Sequence, residues 1–229
     1  MVLSAAEFDA FFLSLKIGIV AATGALPFAL IIAYVLVRYS FPGRWLLNTV
    51  VHLPLVLPPV VIGYLLLIAF GRKGIIGSAL ESCCNISFGF RWTGAALASA
   101  IMALPIMVRA IRISIELLDR RLEQSAATLG ASPAFVFFTI TLPLVAPGLI
   151  AAYILGFAKA LGEFGATITF VSNIPGETQG LPLAIYSAMQ SPDGNSIVIH
   201  LALLSIAISV IAIGGSEWLA DRMHKRRVS

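Results

Sequence analysis

The chain has 229 residues, of which 59% are apolar and only 11% charged, and its formal net charge is +4. With a mean hydropathy of +0.97, this composition excludes an ordinary soluble domain and defines a polytopic, all-α membrane protein. The positive balance comes from basic residues beside apolar blocks, where they orient spans against an anionic leaflet. No basic surface with base-stacking groups is present, which excludes nucleic acid as a partner.

The start, MVLSAAEFDA, carries Glu7 and Asp9 where a secretory signal would carry basic residues, and the apolar segment that follows is long. The first block therefore reads as a permanent span. Spans are predicted at Phe11 to Val37, Val50 to Phe70, Trp92 to Ala110, Pro143 to Val171 and Ile197 to Leu219. Each is long enough to cross roughly 30 Å of hydrocarbon. Pro54, Pro58 and Pro59 interrupt regular hydrogen bonding near the start of the second span, as part of a moving gate or as a static kink. Pro105 leaves the same two readings open in the third.

The two longest connections, Phe70 to Arg91 and Ser172 to Ser196, are loops of roughly twenty residues, too short for a soluble domain. Cys83 and Cys84 in the first of them read as two isolated thiols, since neighbours in sequence suit neither an ordinary bridge nor a metal site. Leu181 to Gln190 in the second is too short to cross, and lies in the interface or dips back toward the bundle. His52, His200 and His224 are scattered, so neither a metal site nor a catalytic residue is assigned.

Arg38 and Arg44, then Arg109, Arg112, Arg120 and Arg121, then Arg222, Lys225, Arg226 and Arg227 fall on one side of this arrangement. The positive-inside rule makes that side cytoplasmic, with the amino terminus outside and the carboxyl terminus inside. The loop between the third and fourth spans is then cytoplasmic, and its sequence describes a knuckle. Asp119 suits a helix start, and Leu118, Leu122, Ala126 and Leu129 recur at helical spacing. Gly130 ends the helix with a left-handed cap. Ser132 and Pro133 restart it, serine as cap and proline in the first turn, and Phe135, Phe137 and Phe138 give the new helix a bulky side.

In the fourth span, Lys159 and Glu163 are four residues apart and can meet on one helical face. An unpaired charge at that depth would be costly, so they are read either as a pathway-lining pair or as a buried ion pair that fixes packing. Gly162 and Gly165 beside them permit close helix contact or a small opening. With Pro58 and Pro59, these four residues are the pathway or packing candidates.

From Gln124 onward the spacing resembles the coupling loop of bacterial ABC transporter permeases, whose core is Glu-Ala-Ala, three residues, glycine, nine residues, Ile-x-Leu-Pro. Here Gln124, Ser125 and Ala126 take the first positions, Gly130 the glycine, and Ile140, Leu142 and Pro143 the end. Glutamine replaces the usual glutamate and serine the first alanine, while Glu123 supplies an acid one position earlier. FPG at Phe41 to Gly43, HLPLVLPPVVIGYLLL at His52 to Leu67 and LGEFGATITFVSNIPGET at Leu161 to Thr178 are similar to the molybdate branch of that family, over nearly the whole chain. Sulfate and thiosulfate permeases share the layout, and the short five-span form favours molybdate.

The resemblance implies a MetI-like fold, with residues 1–229 forming a single transmembrane domain and a cytoplasmic coupling loop at about 117–143. It implies a bacterial inner-membrane location, a second copy of the chain, two cytoplasmic ABC ATPase subunits and a periplasmic molybdate-binding protein. Glu123, Gln124, Ser125, Ala126, Gly130, Ala131, Ser132, Pro133, Leu142 and Pro143 would form the surface seated in an ATPase cleft. No G-x-x-x-x-G-K-[ST] loop occurs, so ATP and Mg are expected on the partner subunit and no cofactor on this chain. The implied function is ATP-driven molybdate import, with tungstate, sulfate or thiosulfate as related substrates. A secondary anion transporter would show repeated halves with central binding elements, and an intramembrane enzyme a catalytic cluster.

Overall fold

The computed structural model describes residues 4–228, the side chains of 213 and 216–228 excepted. The side chains of the basic tail, Arg222 to Arg227, therefore lie outside the described residues. Within them the chain is helical throughout, without strands.

Helix α1 (Ala5–Arg38) opens with a capping box: Ser4 Oγ accepts from the Glu7 amide at 3.3 Å, and the Glu7 carboxylate accepts from the Ser4 amide at 2.6 Å. The pair satisfies orphan donors at the helix start. The other Glu7 oxygen lies 3.1 Å from Nδ1 of His200 on the last helix, α11 (Asn195–Val228). Ala21, Ala22, Ala25, Ala29 and Ala33 form a buried small-residue stripe on α1, which lets α5 (Trp92–Glu116) and α8 (Leu142–Leu161) come close. Met107, Val108, Ile111 and Ile115 of α5 fill that three-helix core together with Val145 and Ala152 of α8.

Four helical stretches are long and apolar enough to span a membrane: Ala5–Arg38, Trp92–Glu116, Pro133–Leu161 and Asn195–Ala212. A fifth candidate is a broken one. The span expected to run unbroken from Val50 to Phe70 is two helices, α2 (Arg44–Val56) and α3 (Pro59–Phe70), bent by 115°. Pro58 lacks an amide proton and forces Leu57 out of the helical region; both residues are extended, and Pro59 then opens α3.

The other expected boundaries shift too. The third span continues past Ala110 to Glu116, so Arg109 and Arg112 ride on its last turns. The span placed at Pro143 to Val171 begins earlier and ends sooner: α7 (Pro133–Val136), a π-helical turn (Phe137–Thr141) and α8 form one rod that stops at Gly162. After a break, α9 (Gly165–Val171) follows as a separate short helix. The two long connections hold helices of their own, α4 (Ile75–Cys84) and α10 (Leu181–Met189). At the start of α10 the Leu181 amide donates to Ser14 Oγ at 2.6 Å, which ties the second connection to the flank of α1, well inside its length.

Candidate functional site

At the basic end of the bundle, α6 (Arg120–Thr128) begins where Asp119 Oδ1 accepts from the Arg121 amide at 2.9 Å. It closes at Gly130, whose φ of +88° is the left-handed conformation that glycine adopts at no steric cost. The Ala131 amide returns to the Ala126 carbonyl at 3.1 Å. Ser132 Oγ then caps α7 from the Phe135 amide at 3.3 Å, with Pro133 in the first turn. Each of these signals is local, and the structure places each where the sequence does.

The knuckle has an inner and an outer face. Inward, Glu123 lies 3.0 Å from Arg38 at the end of α1, and its second oxygen accepts from Thr141 Oγ1 at 2.6 Å. Their side chains are 9% and 16% exposed for Arg38 and Glu123, so water screens the pair poorly. Arg120 Nη2 donates to the Val37 carbonyl at 2.9 Å, and Phe137 packs edge-on against Tyr34 with ring centroids 5.2 Å apart. Outward, Gln124, Ser125 and Ser132's neighbours Pro133 and Phe135 are exposed, as are Leu122, Leu129 and Phe138. Leu129 is 88% exposed, a large apolar side chain left without cover in the isolated chain.

The π turn belongs to the same unit. Pro143 has no amide proton to donate and its ring displaces the carbonyl four residues earlier. Widening the preceding turn accommodates this: the Leu142 amide bonds to Phe137 and not to Phe138. Thr141 is the last residue of the turn, and its hydroxyl is the one that donates to Glu123. Sequence reasoning marked Leu142 and Pro143 as the end of the loop and missed the π turn, for which proline after a Phe-Phe-Thr-Ile-Thr run is the available signal.

A second group of predicted residues meets in the interior. Glu163 occupies the break between α8 and α9, its side chain 2% exposed. One oxygen is 2.8 Å from Lys159 Nζ, and the other accepts from the Ala166 amide at 3.0 Å. The carboxylate therefore serves both as ion-pair partner and as cap for the first turn of α9. Gly162 ends α8 beside it. Gly165 is brought against Pro59 of α3: a Cβ there would lie 2.7 Å from the Pro59 Cβ, and one at Gly63 would lie 2.5 Å from the Ala166 carbonyl. Pro58 sits at the neighbouring break. The two broken helices thus pack break to break, with glycines at each contact. Ser14, Ser99, Glu163 and Thr167 surround a small cavity of about 20 Å³ there, and Ser99 Oγ has no partner among the described residues. That space is of the size and polarity that holds one bridging water.

A multi-pass helical bundle with broken helices apposed inside and an uncovered apolar knuckle at its basic end defines a membrane transport subunit. A family model described as "Binding-protein-dependent transport system inner membrane component" matches residues 25–225, and the chain belongs to that family. It is 54% identical over 226 residues to the molybdenum transport system permease protein ModB of Escherichia coli K12, covering 99% of each. Against the Haemophilus influenzae protein of the same name it is 54% identical over 220 residues, 96% of each. A probable sulfate transport system permease protein of Marchantia polymorpha is 38% identical over 186 residues, 81% of this chain and 64% of that one.

Among solved structures, the methionine ABC transporter MetNI in inward-facing form aligns with a TM-score of 0.72 at 13% identity, over 93% of this chain and 94% of that one. A bacterial alginate ABC transporter aligns at 0.74 and 15%, over 96% and 80%. The fold is that of the MetI-like permeases, in a multi-pass inner-membrane protein.

Proposed function

We propose that this chain is the permease subunit of an importer that moves molybdate into the cytoplasm. It works as a pair of copies with two cytoplasmic ATPase subunits, which carry ATP and Mg, and a periplasmic binding protein that delivers the oxyanion. The near-full-length 54% identity to proteins named for molybdenum transport carries this reading. Residues 1–229 act as one transmembrane domain, with the amino terminus outside and residues 117–143 inside.

In the proposed mechanism, Gln124 to Pro133 seat in a cleft of the ATPase through the apolar outer face of α6 and α7. Closure of the ATPase pair on ATP draws the two knuckles together. Each knuckle passes the displacement along two routes, through Glu123 to Arg38 and α1, and through Thr141 and the π turn into α8. The α8 rod ends at Gly162, so its displacement arrives where α9 lies against α3. A shift at Gly165 and Pro59 separates or closes the broken helices, and Lys159 presents positive charge to an entering anion while Glu163 holds it in place. Hydrolysis resets the arrangement.

Reconstitution with the ATPase and binding protein, followed by ATP-dependent uptake of labelled molybdate against excess sulfate and tungstate, tests the reading. Uptake that survives sulfate and is reduced by tungstate is the expected result; preferential sulfate uptake reassigns the substrate and leaves the mechanism.

A further inference from the structure

Beside the core, one face of α1 and one of α5 do not close on each other. Val20, Gly24 and Phe28 follow Lys16 at four-residue intervals and form one stripe on α1. Thr93, Ala96 and Leu104 belong to the facing stripe on α5, and between the two lies an open groove of about 470 Å³ with almost wholly apolar walls. Gly24 keeps the floor low: a Cβ at this position would have nothing within 4 Å.

The mouth of the groove has a different chemistry. Lys16 Nζ lies 3.7 Å from the centroid of the Trp92 ring, and the exposed Arg91 precedes Trp92 at the N-cap of α5. Lys16 makes no ion pair among the described residues, so a cation and an aromatic ring stand together in the arrangement found at membrane interfaces. Just below, Thr93 Oγ1 is buried without a hydrogen-bond partner among the described residues, a costly state for a hydroxyl in apolar surroundings. An oxyanion substrate does not fit these walls, which offer it no donors apart from Thr93. A neighbouring helix would fill the groove and leave the cations at its mouth unmatched.

We propose that the α1–α5 groove binds a glycerophospholipid from the leaflet at the amino-terminal end of α1. One acyl chain lies along Val20, Gly24 and Phe28, an ester oxygen accepts from Thr93, and the phosphate rests on Lys16 and Arg91. The assignment to the outer leaflet rests on the orientation proposed above; the site itself does not.

Trp92 provides the probe. With Trp45 and Trp218 replaced by Phe, it is the sole tryptophan, and the full chain in nanodiscs can be titrated with phosphatidylglycerol brominated on its acyl chains. Strong quenching of Trp92 at a low fraction of brominated lipid is expected. Gly24→Phe fills the groove and should lower that quenching about twofold, since the acyl chain loses its buried contact. Lys16→Gln removes the phosphate partner and should shift the titration to a higher lipid fraction while the helical content by circular dichroism stays the same. Quenching that is equal in the parent, Gly24→Phe and Lys16→Gln proteins overturns the proposal, because Trp92 then meets only bulk lipid. Trp92 shielded from brominated lipid in the parent also overturns it, because a protein segment then covers the groove. The readout uses neither ATP nor molybdate, so its failure is distinct from failure of the transport assignment.

Discussion

Glu123 lies between Arg38 and Thr141, and in the proposed mechanism it is the joint between the knuckle and the bundle. Arg38→Met and Glu123→Gln, alone and together, should give a double-mutant coupling on the order of 1–2 kcal/mol in thermal unfolding of the purified chain, and each single variant should lower uptake more than ATPase docking. Additive effects would show that the pair transmits nothing. At the helix break, Glu163→Gln keeps an acceptor for the Ala166 amide and Glu163→Leu does not. The leucine variant should be the less stable by about 1–3 kcal/mol, the cost of an unmet buried donor; equal stability would remove the capping role. Cys83 and Cys84 lie with their sulfurs 2.8 Å apart on the exposed end of α4. The Cys84 thiol holds its proton in a hydrogen bond to the Cys83 sulfur, which pushes it above its ordinary value, so its alkylation rate should keep rising with pH beyond the range where a free thiol levels off. The Lys159–Glu163 contact was legible in the sequence because the two residues are four apart, and it forms although α8 stops at Gly162 and leaves Glu163 in the break. The Arg38–Glu123, Ser14–Leu181 and Glu7–His200 contacts were not, because each joins residues that only the folded bundle brings together.

Helices in this chain end where a specific residue ends them. Local capping chemistry made the knuckle readable: Asp119, Gly130, Ser132 and Pro133 each act within a few residues of their own position. The 115° bend at Leu57–Pro58 and the end of α8 at Gly162 were legible as weak points only, since a proline or glycine marks where a helix can break and packing decides whether it does. The two breaks persist because they meet. Gly165→Ala and Gly63→Ala should each push α3 from α9 and cost about 1–3 kcal/mol by overpacking, with uptake falling further than expression. Wild-type uptake in both would show that the apposed breaks have room to spare. Gly130→Ala is a different case, since the space is open and the φ of +88° supplies the penalty. It should cost about 1 kcal/mol locally, and Gly130→Asn less, read as the concentration of ATPase needed to form the complex.

Across the whole molecule, the order of spans and the basic residues beside them give the knuckle and α4 opposite sides of the membrane in the proposed orientation. A membrane-impermeant maleimide applied to intact spheroplasts should label the native Cys83 and Cys84, whereas a cysteine at Leu129 in a Cys83→Ser, Cys84→Ser background should react only after lysis. The reverse pattern would invert the orientation and place the knuckle outside. The five apolar blocks and their membrane setting could be read from composition and length. The depth of the 172–190 connection could not, because it depends on Ser14, a polar residue whose partner arrives far downstream. That separation sets an order of assembly. Ser14 enters the bilayer with α1, yet the Leu181 amide that it receives is synthesised 167 residues later. At roughly 5–20 residues per second the wait is on the order of 10–30 s. Throughout it Ser14 lacks the amide that later pins the second connection to the flank of α1, so that flank is sealed only after α5 and α8 have been made.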